Sequence, residues 1–551
     1  MKAEGHPEAD LIVRNARIFT GDADASWATA LAVRAGRFLV VADEAEAAAH
    51  RGPRTEILDA DGALIIPGLI DSHTHAYEGG RAALGALRLS AADDLDSLIA
   101  AVVKAADAAP PGEWLIGAGW SVGRLVGTLG DPEVLRRFDD ATGGRPSALR
   151  DSSHHAVFAN SAAMERAGVG RDTPAPPHGS ILRHGDGTPS GLFLETACAL
   201  IDRAIPPPAP TEREGYARHA VWLYNGFGVT GFVQAATSEA AMATFAALDR
   251  RGELNAWVAT CMATDTLLTP DRDGVGEAVI ARRAAHRTEH VSVDFAKYFL
   301  DGVPGSRTAS FIEPYLDGPP EPVPPFFSVE ELAGLIAPLD AAGVHVKLHA
   351  VGDWAIRTAL DAIALVRERN GSAGPTHSIA HASYIAAADI PRLAALDVVA
   401  DFCPPLWFPN PILDANARLL GETRSQAAWP IGEIVQSGAL AVAGTDWPIV
   451  PSPNPWPGIA ALVTRRHPAG AAEGAFRPEQ ALSIAQALAL CTLNVATMMR
   501  ISERTGSISP GKSADFAVLD RDPFTIKPAE IAGTRAVRTY FGGRLVHRRE
   551  E

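Results

Sequence analysis

The sequence predicts an α/β protein: a parallel (β/α)8 barrel of the TIM type, a small composite β-sandwich built from both termini, and an insertion after the first barrel strand. Three observations lead there. Eight short apolar runs punctuate the chain, several separated by amphipathic helical stretches, which is the pattern of a closed β/α barrel. Both ends read as short strands with Gly and Asp-Gly turns. The interval from 76 to 225 is too long for a single crossover and must hold a subdomain of its own.

The elements follow in order. DLIVRNARIFT, WATALAVRAGRFLVVAD and TEILDADGALIIPG alternate as strands over residues 1–65. LIIPGLIDSHTH, Leu64–His75, reads as one buried strand and the first of the barrel. WLIGAGW and RPSALRD look like strands of the insertion, 76–225. The other barrel candidates are GVTGFVQA, NAWVATCM, VDFAKYFL, GVHVKLHA, HSIAHAS, DVVADFCP and ALAVAGTDWP, within a barrel region of 66–499. SVEELAGLIAPLDAAG and DWAIRTALDAIALVRERN carry helical periodicity between them. The tail, 500–551, returns to strands, with a turn at Gly542–Gly543. An open doubly wound sheet is the rival, but no Gly-x-Gly-x-x-Gly follows an early strand.

Composition narrows the function. A chain of 551 residues exceeds one ordinary core, so two or three domains are expected. At 47% hydrophobic and 21% charged it reads as a soluble globular protein. A net charge of −16 argues against nucleic acid or an anionic membrane as partner. Cys198, Cys261, Cys403 and Cys491 are too scattered for a zinc motif or a disulfide framework, so buried thiols are expected. The start lacks a signal-peptide core and no 18-residue apolar run follows, so the expected compartment is the reducing cytoplasm.

His73 and His75 lie two apart on a strand, so both imidazoles face the same side and can reach one metal. Alone, a His-x-His pair is weak evidence, and a lone strand-end histidine is more often structural. Here, however, His349 ends GVHVKLHA, His381 lies in HSIAHAS and Asp446 follows AVAGT. Strand C-termini are where a barrel keeps its chemistry. Imidazole with carboxylate suits zinc, one or two ions, with manganese or iron as alternatives. Lys297, inside an apolar strand, is costly unless paired or modified. It either reaches the rim or Asp301, or its amine is carboxylated to an anionic carbamate that bridges two cations.

PGLIDSHTH, the lysine of KYFLDG, LHAVGD, IAHAS and GTDWP resemble the metal motifs of the amidohydrolase superfamily. DGVPGSRTA, VGDWAI, PNPW after TDWP, and ISPGKSADFAVLD resemble amidohydrolase family 3, the N-substituted formamide deformylase-like metal-dependent hydrolases. The resemblance spans nearly the whole chain. It implies that His73 and His75 hold one metal, that His349 and His381 hold a second, and that a carboxylated Lys297 bridges them. It implies that Asp446 contacts the first metal and handles the proton of the attacking water, so Asp446 and Lys297 are the catalytic candidates. A metal lowers the pKa of water from 15.7 to roughly 7, and a base one hydrogen bond away completes the activation.

The substrate-binding candidates are His155, Arg307 and Trp120. His155 matches a family histidine; family members commonly carry glycine where His154 stands, which leaves open which of the two faces the pocket. The bland alternative is a loop that caps a helix at Asn160 or Ser161. Arg307 is either an anchor for an anionic or carbonyl group or a surface arginine. Trp120 and Trp447 either wall a pocket or simply pack. Asp353 is expected to cap the helix after the fifth strand, and Lys347 to pair with a carboxylate. The implied activity is metal-dependent hydrolysis of a C–N bond in a non-peptide, N-substituted amide or formamide, acting on a small-molecule amide substrate. The one assembly allowed for is a homodimer. A lactonase or ester hydrolase on the same site, and a catalytically silent regulatory protein on this scaffold, are the alternatives. An iron oxidoreductase lacks the usual facial triad.

Overall fold

The computed structural model describes residues 6–22, 26–85, 87–90, 93–110, 112–264, 275–407, 411–470 and 473–550. Eight parallel strands pair in chain order: β1 (Leu69–Thr74), β2 (Val229–Thr237), β3 (Trp257–Ala263), β4 (Val291–Phe299), β5 (His345–Ala350), β6 (His377–His381), β7 (Val398–Phe402) and β8 (Ala441–Ala443). The circle closes just past β8. There the Asp446 N–H donates to the His73 carbonyl and the His75 N–H to the Trp447 carbonyl, both at 2.7 Å. Each of the eight apolar runs overlaps one of these strands.

The strands are buried on both faces, which is why they read as apolar runs rather than alternations. Ile70, Val233, Cys261, Phe295, Val399 and Val442 meet in one cluster inside the barrel. Outside lie the helices, such as Val329–Ala341, whose start is set by a capping box between Ser328 and Glu331. Polar residues are thereby left for the C-terminal strand ends.

One element departs from expectation. Leu64–His75 is not a single strand. Leu64–Pro67 pairs with Arg17–Phe19 and Phe516–Leu519, while β1 pairs with β2. The break falls at Gly68, where a Cβ would sit 2.0 Å from Thr230 Oγ1, so the chain can pass from one sheet to the other only without a side chain.

Strands from the two chain ends share a six-stranded sheet, in which Leu64–Pro67 lies between Phe516–Leu519 and Arg17–Phe19. It packs on a four-stranded sheet of residues 11–59 through Val13, Ile18, Val33, Phe38, Ile65 and Phe516. Between β1 and β2 a separate six-stranded sheet runs from Leu87–Arg88 to Pro189–Glu195 and includes the expected Leu115–Trp120 and Ser147–Asp151. It has its own core around Leu98, Phe138, Phe158 and Leu192. The helix Pro210–Gly226 then leads back to β2. No helix among the described residues is long and apolar enough to cross a membrane. All four cysteines are buried and free.

Candidate metal centre

The strand ends bring His73, His75, Lys297, His349, His381 and Asp446 to one side of the barrel, all of them buried or nearly so. Ligand atoms of His73, His381 and Asp446 lie within 4.8 Å of one another. Asp446 is the hub. Its Oδ1 stands 3.7 Å from His73 Nε2 and 3.6 Å from His75 Nε2, and its Oδ2 stands 4.0 Å from His381 Nδ1. The tightest group therefore takes one histidine from each of the two pairs that the family resemblance implies. His349 is beside it, its ring 4.6 Å from that of His381, with Nε2 turned 3.3 Å from the Gly302 carbonyl.

Local backbone geometry aims these groups. His381 and Asp446 adopt left-handed φ values of 71° and 62°, a conformation that side chains occupy only where the surroundings enforce it. At Gly444 a Cβ would lie 2.3 Å from the His73 amide nitrogen, so β1 and β8 can close this tightly only over a glycine. Asp71 ties the same seam, accepting from the His73 and Thr445 amides at 3.0 Å and from the Thr445 hydroxyl at 2.5 Å.

Electrostatics suit a cation. Burial, reinforced by Lys297, holds His73, His75 and His381 well below the ordinary imidazole range; burial and His381 do the same for His349. They are neutral donors, as metal ligation requires. Burial pushes the Asp446 carboxyl up, while Lys297 pulls the other way. Burial and the Lys347 ammonium bring Lys297 down. Asp446 Oδ1, His75 Nδ1 and Lys297 Nζ are buried without a hydrogen-bond partner. Orphaned polar atoms at this depth are costly unless something else satisfies them. A set of imidazole nitrogens and a carboxylate oxygen fits zinc or a similar metal.

The expected secondary residues divide. His155 joins the site: its ring is 5.2 Å from that of His349, and its Nδ1 is 2.6 Å from Glu195 Oε2. Burial would lower its pKa, but Glu195, helped by Asp151 and Asp301, outweighs burial and raises it. His154 is held down to about 3 by burial and by Arg150. The helix that follows this loop is capped by Asn160. Arg307 is not brought to the site. Its Nη2 pairs with Asp317 at 2.6 Å on a half-exposed loop. Trp120 is fully buried in the core of the insertion, with Nε1–H donating to the Leu149 carbonyl at 2.8 Å. Trp447 packs between Gly79 and Tyr224. Asp353 does not cap its helix; the N-cap is Gly352, and Asp353 accepts the Ile312 N–H at 2.9 Å. Nor does Lys297 pair with Asp301, whose carboxylate accepts from the Ser310, Val351 and Gly352 amides. Lys347 does pair with a carboxylate, that of Asp401.

Sequence reasoning missed Asp401 and Glu195. The signal for Asp401 was available, since a carboxylate in the apolar run DVVADFCP is as anomalous as Lys297 in its own run. Glu195 gave no such signal, because its role appears only where the insertion meets the barrel.

Comparison with known proteins agrees with this geometry. The chain is 28% identical over 574 residues to the N-substituted formamide deformylase of Arthrobacter pascens, covering 98% of each. It is 28% identical over 552 residues to Protein LONG AFTER FAR-RED 3 of Arabidopsis thaliana, covering 98% of this chain and 92% of that protein. In structure it resembles an uncharacterized metal-dependent hydrolase from Pyrococcus horikoshii, with a TM-score of 0.73 at 23% identity over 94% of this chain and 99% of that one. The model of the amidohydrolase family, Amidohydro_3, matches residues 56–547, and with the barrel and its strand-end cluster in place the chain belongs to the amidohydrolase family of hydrolases.

Proposed function

We propose that this hydrolase cleaves the C–N bond of a small non-peptide amide, an N-substituted amide or formamide, using water activated at a zinc centre of one or two ions. The observation that carries the reading is the buried, unpartnered Asp446 Oδ1, 3.6–3.7 Å from the Nε2 atoms of two histidines. Similarity over nearly full length to a formamide deformylase supports the substrate class. His73, His75, His349, His381 and Asp446 would hold the metal, which when bound supplies Lewis acidity to the carbonyl and acidity to the attacking water.

The chain's own residues do the rest. Asp446 accepts the proton of water as the C–O bond forms, and returns it to the nitrogen as the C–N bond breaks, giving a carboxylic acid and an amine. His155, its charged form favoured by Glu195, donates to the carbonyl oxygen as negative charge builds on it. Lys297 carries a carbamate. Its amine adds to carbon dioxide, forming an N–C bond and releasing one proton to solvent. The support is an ammonium that is fully buried and without a hydrogen-bond partner, 4.9 Å from the Phe299 ring.

The test is the zinc-loaded protein against a panel of N-substituted formamides, other N-substituted amides, lactones and aryl esters, with amine and acid release measured. Amine release from formamides or amides supports the reading. Turnover confined to lactones or esters replaces it with the ester-hydrolase reading, and no turnover of any class by metal-loaded protein favours a non-catalytic role.

A further inference from the structure

Beneath the metal cluster lies a second group of buried charges that hydrolysis leaves unused. Lys347 on β5 and Asp401 on β7 are both fully buried and form an ion pair across the barrel. The Lys347 ammonium also donates to the Ser72 carbonyl at 2.9 Å, and the Ser72 hydroxyl to Asp401 Oδ1 at 2.5 Å. Asp401 Oδ2 then reaches upward to 3.4 Å from Nδ1 of His73. The other ring nitrogen of His73, Nε2, is the one that faces Asp446 at 3.7 Å.

Stability does not explain this group. Taking two charges out of water costs several kcal/mol per ion, and apolar residues of similar volume often fill such a place equally well. The row His345, Lys347, His349 shares one face of β5. A histidine that ligates through one nitrogen carries its proton on the other and needs an acceptor there.

We infer that Asp401 is a positioning residue that accepts the Nδ1 proton of His73 and locks the ring as an Nε2 donor, with Lys347 as the counter-charge that lets a carboxylate occupy the barrel interior. Ser72 completes the arrangement by occupying the carboxylate oxygen that His73 does not use. The inference rests on the metal reading of the His73–His381–Asp446 cluster.

The experiment compares the full-length wild type with K347M/D401L and with Asp401→Asn. Three quantities are read: zinc affinity by competition with a chromophoric chelator, thermal stability of the metal-free proteins, and the visible spectrum after cobalt(II) loading. The double variant removes both charges together, so its metal-free stability should match the wild type. Its zinc affinity should nonetheless fall about 10–100-fold, with shifted cobalt bands. Wild-type zinc affinity and an unchanged cobalt spectrum in the double variant would overturn the inference and leave the pair as core filling. Should the double variant not fold, Asp401→Asn decides, since it keeps the volume: weaker zinc binding supports the inference and unaltered binding overturns it. Failure of the underlying metal reading shows separately, as wild-type protein that takes up neither zinc nor cobalt.

Discussion

Asp446 and His73 approach each other twice, once through the backbone, where the Asp446 N–H donates to the His73 carbonyl at 2.7 Å, and once through side chains, where Oδ1 lies 3.7 Å from Nε2 without a hydrogen bond. The contact that closes the barrel is thus also the contact that builds the site. Closure of β8 on β1 sets the distance between base and ligand, so the site cannot form in a chain whose barrel is open.

Metal content should follow directly. Protein purified without chelators is expected to carry one or two zinc-like ions per chain. His73→Ala and His381→Ala should each lose at least half of that metal while retaining the wild-type circular dichroism. Elemental analysis of the three preparations checks this, and fully metal-free, active wild-type protein would contradict it.

Asp446→Asn keeps the shape of the side chain but removes its capacity to take a proton. Turnover should fall by about 10²–10⁴, with most of the metal and the thermal midpoint preserved. All three are to be measured on one preparation. Near-normal turnover in a folded, metal-loaded variant would place the proton shuttle elsewhere.

Lys297→Ala should abolish turnover, with partial rescue by short carboxylic acids that occupy the place of the carbamate. Wild-type protein exposed to ¹³C-labelled bicarbonate should show a carbamate carbon resonance that the variant lacks. Full activity in Lys297→Ala, or no labelled resonance in metal-loaded wild type, would rule the modification out.

His155→Ala removes a donor from the edge of the site and should lower kcat by about 10²–10³ without loss of metal. Glu195→Gln should fall between wild type and His155→Ala, because the imidazole stays in place but loses the carboxylate 2.6 Å away that favours its charged form. An unaffected kcat in both would make the pair structural.

Stability should fall on the acidic side for a reason separate from the metal. His345 is held well below 6.5 by burial, with His377 and Lys347 adding to the effect, and His377 is lowered by burial even though Asp340 opposes the shift. Both hold their protons less readily when folded, whereas the unfolded chain takes them up below 6.5. The unfolded state thus binds more protons, and the stability these groups contribute is fully present above that pH and is lost as pH falls below it. Each group steepens the loss by up to about 1.4 kcal/mol per pH unit. Denaturant melts of metal-free protein between pH 8 and 5 should show the decline, and His345→Gln should flatten it by about one proton. Equal slopes would contradict the assignment.

The barrel was legible in the sequence because strands buried on both faces leave apolar runs, and because ligands at strand ends follow from chain order alone. For the same reason the insertion declared itself as an interval no crossover could fill. What misled was local likeness. Leu64–Ile70 is apolar throughout, and only the strand pairings on either side of Gly68 show that Leu64–His75 serves two sheets. Trp120 and Trp447 have the same composition as pocket walls, yet burial commits both to packing.

The residue types at the strand ends, and hence the chemistry open to the site, were determined by the sequence by itself: period-two geometry places His73 with His75, and chain order places His349, His381 and Asp446 at the ends of the fifth, sixth and eighth strands. Tertiary structure alone decided which of them share an ion-sized space, that Asp401 lies below His73, and that Glu195 holds His155. Those pairs are 328 and 40 residues apart along the chain. The physical reason is that a hydrogen bond or a coordination sphere depends on distances of a few ångströms, which only the closure of the barrel and the docking of the insertion on it bring about.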